Sequence, residues 1–428
     1  MSKKNVNWLY EELPGLVSSG ILSAESAEKL LQHYKESKNG GLNLAIVSFS
    51  IIGAVLMGFG IILILAHNWD QLLRPVRAML SFAPLIMAQV LAGFVLLKRR
   101  ESTGWCEGAG TFWVLAIGAS IALVAQTYHI SGDFGVFILT WSLMALPVVY
   151  LLNSSVAALL FWIGTTVWVS DTHGQHGTEV WFWPMLGLAV PHLLWAFQRN
   201  RYHVRVGALN WVLTICGAFG IWFALGRYSS GDWIPVYTGY FALVYMLGSL
   251  WFEEGRMFWQ RSFQTVGGLG VIVLSIVLSF ENVWHYQNPM ELLNITSSNW
   301  VQTLSLLVWP MAALGLWGYL WRKRELVTLL FGALPVIAIA GVLLSGNHLD
   351  FMAMMLMNVY VLALSVALIW LGTYNRLNIG MLILLTLIIV RFFDSDLGFV
   401  VKGLAFITAG VGFLVTNVML IRKTQGAK

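Results

Sequence analysis

The chain has 428 residues, of which 58% are hydrophobic and only 11% are charged, and its mean hydropathy is +0.74. Soluble globular proteins contain about 25% charged residues, so this composition excludes that class and predicts a membrane protein. The net charge of +5 comes from basic residues scattered over short loops rather than gathered in one soluble segment. It therefore does not indicate a nucleic-acid partner.

Residues 1–40 are the only stretch with the composition of a soluble segment, and they predict a small cytoplasmic helical hairpin. A turn at Gly20 separates the two short helices, and Ser23 is the predicted N-cap of the second. Such a hairpin is too small to have a core of its own. We expect it to dock on the membrane domain, on its own copy in an oligomer, or on a cytoplasmic partner protein.

Residues 41–428 predict a multi-span membrane domain, because apolar runs near the ~20 residues that a helix needs to cross a bilayer follow one another along it. The predicted fold class is therefore all-α, a polytopic transmembrane helix bundle with about fourteen spans. The predicted spans are roughly 44–66, 78–97, 109–129, 134–152, 154–170, 181–197, 207–225, 236–252, 263–280, 301–320, 326–344, 351–371, 379–393 and 398–420.

The distribution of Lys and Arg supports this threading. With both termini in the cytoplasm, only five of the 25 basic residues fall on the outer side, namely Arg74, Arg77, Arg227, Arg391 and Lys402. The other twenty lie on the cytoplasmic side, as the positive-inside rule requires. The predicted spans hold almost no ionisable residue away from their ends, with His192 as the main exception. This pattern argues against a proton- or ion-driven pump with a carboxylate relay at the bilayer midplane.

Polar residues instead gather in the predicted outer loops, where ten acidic residues and six of the nine histidines lie. Three of these loops have similar character: "HNWDQLLRPVRA", "AQTYHISGDFG" and "RFFDSDLGFVVKG". We expect them to converge on an outward-facing polar site formed by Asn68, Trp69, Asp70, Arg74, Gln126, Tyr128, His129, Asp133, Arg391, Asp394 and Asp396. The alternative is that each loop is a solvated turn with local salt bridges.

Metal binding and catalysis are weaker interpretations. In "DTHGQHGTE", His173 and His176 are imidazoles near carboxylates, a combination that suits zinc, but this Gly-rich loop lacks the spacing of known sites. His129 with Asp133 is a conceivable general base, yet no Ser or Cys nucleophile motif stands near. The sequence therefore favours a non-enzyme without a metal or a cofactor. Cys106 and Cys216 show no disulfide or metal-ligand pattern.

The runs "ILAHNWDQLLRPVRAML" and "CEGAGTFWVLAIGASIALVAQTYHISGDFG" resemble an uncharacterised family of bacterial inner-membrane proteins, catalogued as a domain of unknown function. That family combines a short soluble helical head with an Asn-Trp outer loop and a Gln-x-Tyr-His-x-x-Gly-Asp turn. The matching positions are Asn68, Trp69, Arg74, Glu107, Gln126, Tyr128, His129, Gly132 and Asp133. The family-like part of the membrane domain covers about 41–170, and a final family-like segment covers about 379–428. The resemblance implies a multi-pass protein of the bacterial inner membrane and carries no biochemical role.

Two functions fit these observations. The first is a transport-like or lipid-handling protein whose outward-facing polar site binds a lipid or a small amphipathic ligand. The second is a non-catalytic envelope scaffold or sensor whose N-terminal head binds a cytoplasmic partner. A membrane-embedded enzyme acting on an outer-leaflet lipid is a third and weaker interpretation.

Overall fold

The computed structural model describes residues 12–23, 25–28, 69–172, 181–225, 233–252, 257–285, 300–322, 326–370 and 380–387, together with residue 407. The chain divides into two compact units, Met1–Leu80 and Ser81–Lys428. The turn between residues 126 and 133 and the helices around it belong to the second unit.

The first unit contains the predicted turn at Gly20. Residues 12–18 are helical, and Gly20 adopts a left-handed φ of +72° that glycine accepts without strain. The backbone N–H of Ile21 then donates to the Leu16 carbonyl at 3.1 Å, which closes the helix end. Residues 25–28 are helical again, and the Ser23 hydroxyl accepts a hydrogen bond from the Ser26 N–H at 3.2 Å, the geometry of an N-cap.

From Arg74 onward most described residues are helical, including a stretch at 380–387, and the described residues contain no β-strand. The α-helices are α1 (Arg74–Lys98), α2 (Thr103–Tyr128), α3 (Phe134–Leu151), α4 (Ser155–Asp171), α5 (Phe182–Gly187), α6 (Val190–Arg199), α7 (Val204–Leu225), α8 (Trp233–Trp251), α9 (Ser262–Val277), α10 (Trp300–Trp321), α11 (Leu326–Gly332), α12 (Leu334–Ser345) and α13 (Asp350–Trp370). The all-α prediction is confirmed.

Seven helical stretches of the described chain are long and apolar enough to cross a membrane: α1, α2, α3, most of α7, α8, α11 together with α12, and α13. The shorter apolar helices α4 and Leu307–Trp321 of α10 add to them. The predicted span at 181–197 is divided between two short helices, α5 and α6. The predicted spans at 44–66 and, apart from residue 407, 398–420 lie outside the described residues. A multi-span helical membrane domain is therefore confirmed, and the count of fourteen spans stays a prediction.

Helix α8 occupies the centre of the second unit because it is apolar on opposite faces. Val236, Tyr240 and Val244, spaced four residues apart, pack into one core cluster with residues of α1–α7. Ala242 and Met246 face the other way and pack into a second cluster formed with α9–α13. A helix that is hydrophobic all round is expected to be buried in this way.

A glycine lets α8 approach α10 closely. A methyl group at Gly239 would lie 2.7 Å from the backbone nitrogen of Pro310, which is closer than Cβ contacts in proteins allow. Helices in membranes gain stability from such backbone approach because burying apolar side chains away from lipid contributes little. Gly239 therefore fixes the distance between these two helices.

Candidate functional site

The polar residues at the end of α2 form a tight turn. His129 terminates the helix in the left-handed conformation, with φ 53° and ψ 39°, and its N–H donates to the Ala125 carbonyl. The His129 Nδ1 atom lies 3.0 Å from the Gln126 carbonyl oxygen. Asp133 then caps α3, because its side-chain oxygen accepts a hydrogen bond from the Gly135 N–H at 3.1 Å. Capping and helix termination thus explain part of the polar sequence that follows the apolar run of α2.

The same turn presents its side chains to the surroundings. Gln126, Tyr128, His129 and Asp133 are all exposed in the described structure. Only one oxygen of the Asp133 carboxylate takes part in the cap, so its second oxygen is available to a ligand. The turn therefore offers a polar surface as well as a structural connection.

An apolar groove of about 640 Å³ extends from this turn between α1, α2 and α3. Its volume falls within the ~300–1,000 Å³ that small-molecule sites usually occupy. It is lined by Phe82, Leu85, Gln89, Trp113, Ile117, Ser120, Ile121, Val124, Ala125, Ile130, Gly132, Asp133, Val136, Phe137, Thr140, Met144, Pro147, Val148 and Leu151. Among these described lining residues, Asp133 alone carries a charge.

The groove follows the length of α3. Val136, Thr140, Met144 and Leu151 all line it, and at a rise of 1.5 Å per residue the path from the first to the last covers about 22 Å. The hydrocarbon core of a bilayer is about 30 Å thick. The groove is therefore long enough to hold an extended apolar chain, with Asp133 at one end.

Ser120 borders the groove and carries a buried hydroxyl. Its residue surface is only 4% exposed, and its hydroxyl has no hydrogen-bond partner among the residues that the structure describes. By contrast, the Thr140 hydroxyl on the opposite wall donates to the Val136 carbonyl at 2.8 Å. Leaving a buried hydroxyl unpaired costs about 1–3 kcal/mol.

At the opposite end of α2, Glu107 binds the N-terminus of α4. Its carboxylate accepts hydrogen bonds from the Ser154 hydroxyl at 2.7 Å and from the N–H groups of Ser155 and Val156, each at 3.0 Å. The first N–H groups of a helix have no partner within the helix, and the helix dipole favours an anion beside them. Glu107 therefore acts as an internal anion in a site of the kind that often binds phosphate.

Arg205 completes this arrangement, which we call the Glu107 cluster: Glu107, Asn153, Ser154, Ser155, His192 and Arg205. Arg205 Nη2 lies 2.6 Å from Glu107 Oε1 and donates to the Asn153 carbonyl at 2.7 Å. Its Nε donates to the Ser155 hydroxyl at 3.1 Å, and His192 Nε2 lies 3.3 Å from that hydroxyl. The side chains of Glu107 and Arg205 are 18% and 25% exposed, so the pair is largely shielded from solvent.

The cluster also shows which helix ends lie together, and these can be compared with the predicted membrane topology. Glu107, Ser155 and Arg205 lie at the beginnings of α2, α4 and α7, and His192 lies in α6, so these segments meet at one end of the second unit. The alternation of predicted spans places Glu107, Ser155 and Arg205 on the cytoplasmic side and His192 near the cytoplasmic end of its span. The side of the membrane on which this end lies stays a prediction.

The structure brings together part of the predicted outer site. Gln126, Tyr128, His129 and Asp133 share the turn between α2 and α3. In the first unit, Trp69 and Asp70 lie in a 3-10 helix (Trp69–Gln71), the Trp69 side chain is buried, and Arg74 begins α1. The predicted site residues outside the described residues are Asn68, Arg391, Asp394 and Asp396. Convergence of the three loops therefore stays a prediction.

Sequence reasoning did not identify the Glu107 cluster. Glu107 appeared only as a position of the family resemblance, and Arg205 counted as one of the basic residues of a cytoplasmic loop. The available signal was an acidic residue in the second turn of an apolar helix, which needs a partner when it is partly buried. The residues 173–180, which hold most of the discounted histidine-rich loop, lie outside the described residues, and the described part contains no group of three metal-binding side chains.

Comparison with known proteins supports a membrane protein without assigning an activity. No curated protein and no solved structure matches this chain. One family model matches residues 14–158, which include the turn, all three groove helices and Glu107 but not Arg205. The family is described as "Predicted membrane protein (DUF2157)", which confirms the resemblance to an uncharacterised family of membrane proteins.

Proposed function

We propose that this protein is a lipid-handling protein of the bacterial inner membrane, which binds an amphipathic molecule in the groove between α1, α2 and α3. The observation that carries the proposal is the groove itself. It has a volume of about 640 Å³, its walls are apolar, and it ends at a single carboxylate, Asp133. The apolar chain of the ligand lies along α3. Its polar group lies at the turn formed by Gln126 to Asp133, on the outer side of the membrane.

The chemistry of the groove suits a molecule with one polar end. Its walls present aliphatic and aromatic side chains, which offer dispersion contacts to a hydrocarbon chain but no charge to stabilise a polar one. Inside a bilayer the hydrocarbon chain of the ligand gains little free energy from leaving the lipid, so selectivity for the ligand must come from polar contacts. Asp133 at the mouth supplies such a contact.

A matched pair of substitutions tests this proposal. Val136 lines the groove and is 61% exposed, whereas Val359 on α13 is 60% exposed and does not line it. Val136→Trp fills the groove without disturbing a packed core, and Val359→Trp adds the same bulk elsewhere. Native mass spectrometry of gently solubilised protein measures which molecules remain bound.

We expect the wild type and Val359→Trp to retain the same amphipathic molecule and Val136→Trp to lose it. Fragmentation of the released molecule then identifies its chemical class. Equal retention by all three proteins would show that binding occurs outside the groove, and no retention by the wild type would refute a binding role.

A further inference from the structure

We propose that the Glu107 cluster is a latch that holds the two main walls of the groove together, and that its opening lets the amphipathic ligand enter and leave. This inference rests on the proposed function and adds a means of regulating the same site. Its premise is that α2 and α3 each carry groove-lining residues and each reach the cluster at the end opposite Asp133.

The connection runs through both helices. On α2, Glu107 lies six residues before Trp113, the first groove-lining residue of that helix. On α3, Leu151 is the last lining residue, and Asn153 and Ser154 follow two and three residues later. The contacts of Glu107 with Ser154 and of Arg205 with Asn153 therefore tie the groove walls at the point where the groove ends.

The walls also touch at this end. A methyl group at Gly110 would lie 2.6 Å from Ser154 Cβ, so α2 and the chain leaving α3 are already as close as their side chains allow. Between the cluster and the exposed turn at 129–133, the indole N–H of Trp141 on α3 donates to the Val114 carbonyl of α2 at 2.7 Å. Breaking the cluster therefore frees the walls between Val114 and Ser154, and they separate at that end of the groove.

The latch is suited to open because the contacts within the Glu107 cluster are polar, and water can replace them. Arg205 belongs to α7, outside the groove, so a displacement of α7 removes the guanidinium from Glu107 and Asn153 together. Both charged side chains retain some exposure, so water can reach and solvate them once they separate. A movement of α7 is thereby transmitted to the groove without any change in the groove's own side chains.

Cys106 reports whether the latch is open. It precedes Glu107 and is buried, with its thiol 3.3 Å from the Arg100 carbonyl. The other cysteine, Cys216, is buried within α7 and serves as the internal control, since the chain contains only two cysteines. Alkylation of each thiol by N-ethylmaleimide is followed over time by mass spectrometry of the full-length protein in detergent and after digestion.

The test compares Glu107→Gln with Arg205→Met. We expect both variants to increase the rate of Cys106 alkylation by about tenfold, since each loses at least one charge-assisted hydrogen bond that holds the latch. The rate at Cys216 should stay unchanged. If the substitutions acted only by changing the charge near Cys106, the two variants would change its alkylation rate in opposite directions. An anion disfavours a neighbouring thiolate, whereas a cation favours it.

Faster alkylation in Glu107→Gln with slower alkylation in Arg205→Met would therefore overturn the latch, as would no change in either variant. Faster alkylation at both cysteines would mean general loosening of the protein and would overturn the latch too.

Retention of the amphipathic molecule is measured on the same variants, with Glu101→Gln as the control for loss of an exposed carboxylate near α2. We expect the two latch variants, but not the control, to release the molecule about tenfold faster.

The two proposals fail in different ways. Faster Cys106 alkylation with unchanged retention refutes the control of the groove and leaves the binding role intact. A wild type that retains no amphipathic molecule refutes the binding role, and with it the regulation proposed here, whatever the alkylation rates.

Discussion

Replacing Glu107 with Ala should destabilise the protein, because it removes the anion that binds the N-terminus of α4. The wild-type carboxylate accepts three hydrogen bonds and pairs with Arg205 at 2.6 Å. The alanine variant leaves the N–H groups of Ser155 and Val156 and the Arg205 guanidinium without this partner. Removing one member of a buried ion pair costs about 3–5 kcal/mol, and the partial exposure of both side chains lowers our expectation to about 2–4 kcal/mol.

Glu107→Gln should cost less, about 1–2 kcal/mol, because the amide oxygen still accepts hydrogen bonds while the charge is lost. The measurement is equilibrium unfolding in mixed micelles, combined with hydrogen exchange of the first turn of α4. We expect the Ser155 and Val156 amides to exchange faster in both variants and fastest in Glu107→Ala. The control is Glu101→Ala, an exposed site where changes usually stay within about 0.5 kcal/mol. If Glu107→Ala unfolds within that margin of the control, the assigned role of Glu107 is wrong.

Three further changes probe the rest of the fold by the same unfolding assay. Asp133→Ala should cost about 1 kcal/mol through loss of the α3 cap, whereas Asp133→Asn, which can still cap, should stay near wild type; equal losses would argue against the cap. Gly239→Ala should cost about 1–3 kcal/mol because its methyl group would meet the Pro310 backbone, and an unchanged midpoint would mean that α8 and α10 are not in such close contact. Trp162→Phe removes a buried indole N–H that donates to a main-chain carbonyl at 2.9 Å, so a loss of about 1–3 kcal/mol is expected, and a neutral result would contradict that hydrogen bond.

The sequence predicted the elements that depend on local signals. Apolar length marked the helices, and the polar run after Ala125 marked the end of α2, which lies at Tyr128. Residues such as Asp133 were correctly associated with a turn because capping chemistry is local. The same residues suggested a binding surface, and their exposure is compatible with that prediction without testing it.

Contacts between distant parts of the chain could not be predicted in this way. Glu107 contacts residues 47 to 49 positions further along the chain, and Arg205 reaches back about 50 positions, so no pattern of period 3.6 contains them. Hydropathy likewise registers apolar character but not helix continuity. The largely apolar stretch at 181–197 therefore appeared as one span, although the helix breaks after Gly187 and resumes at Val190 with Pro191 in its first turn.

The position of α8 between the two core clusters bears on the order in which the protein assembles. Of the buried members of the first cluster in the described part of the chain, only Phe263 lies beyond Phe252, so nearly all of these members have been synthesised once α8 has left the ribosome. At that moment α8 still displays Ala242 and Met246 on its unoccupied face. Helices α1–α7 can thus pack against one face of α8 during synthesis, and α9–α13 can then pack against its other face.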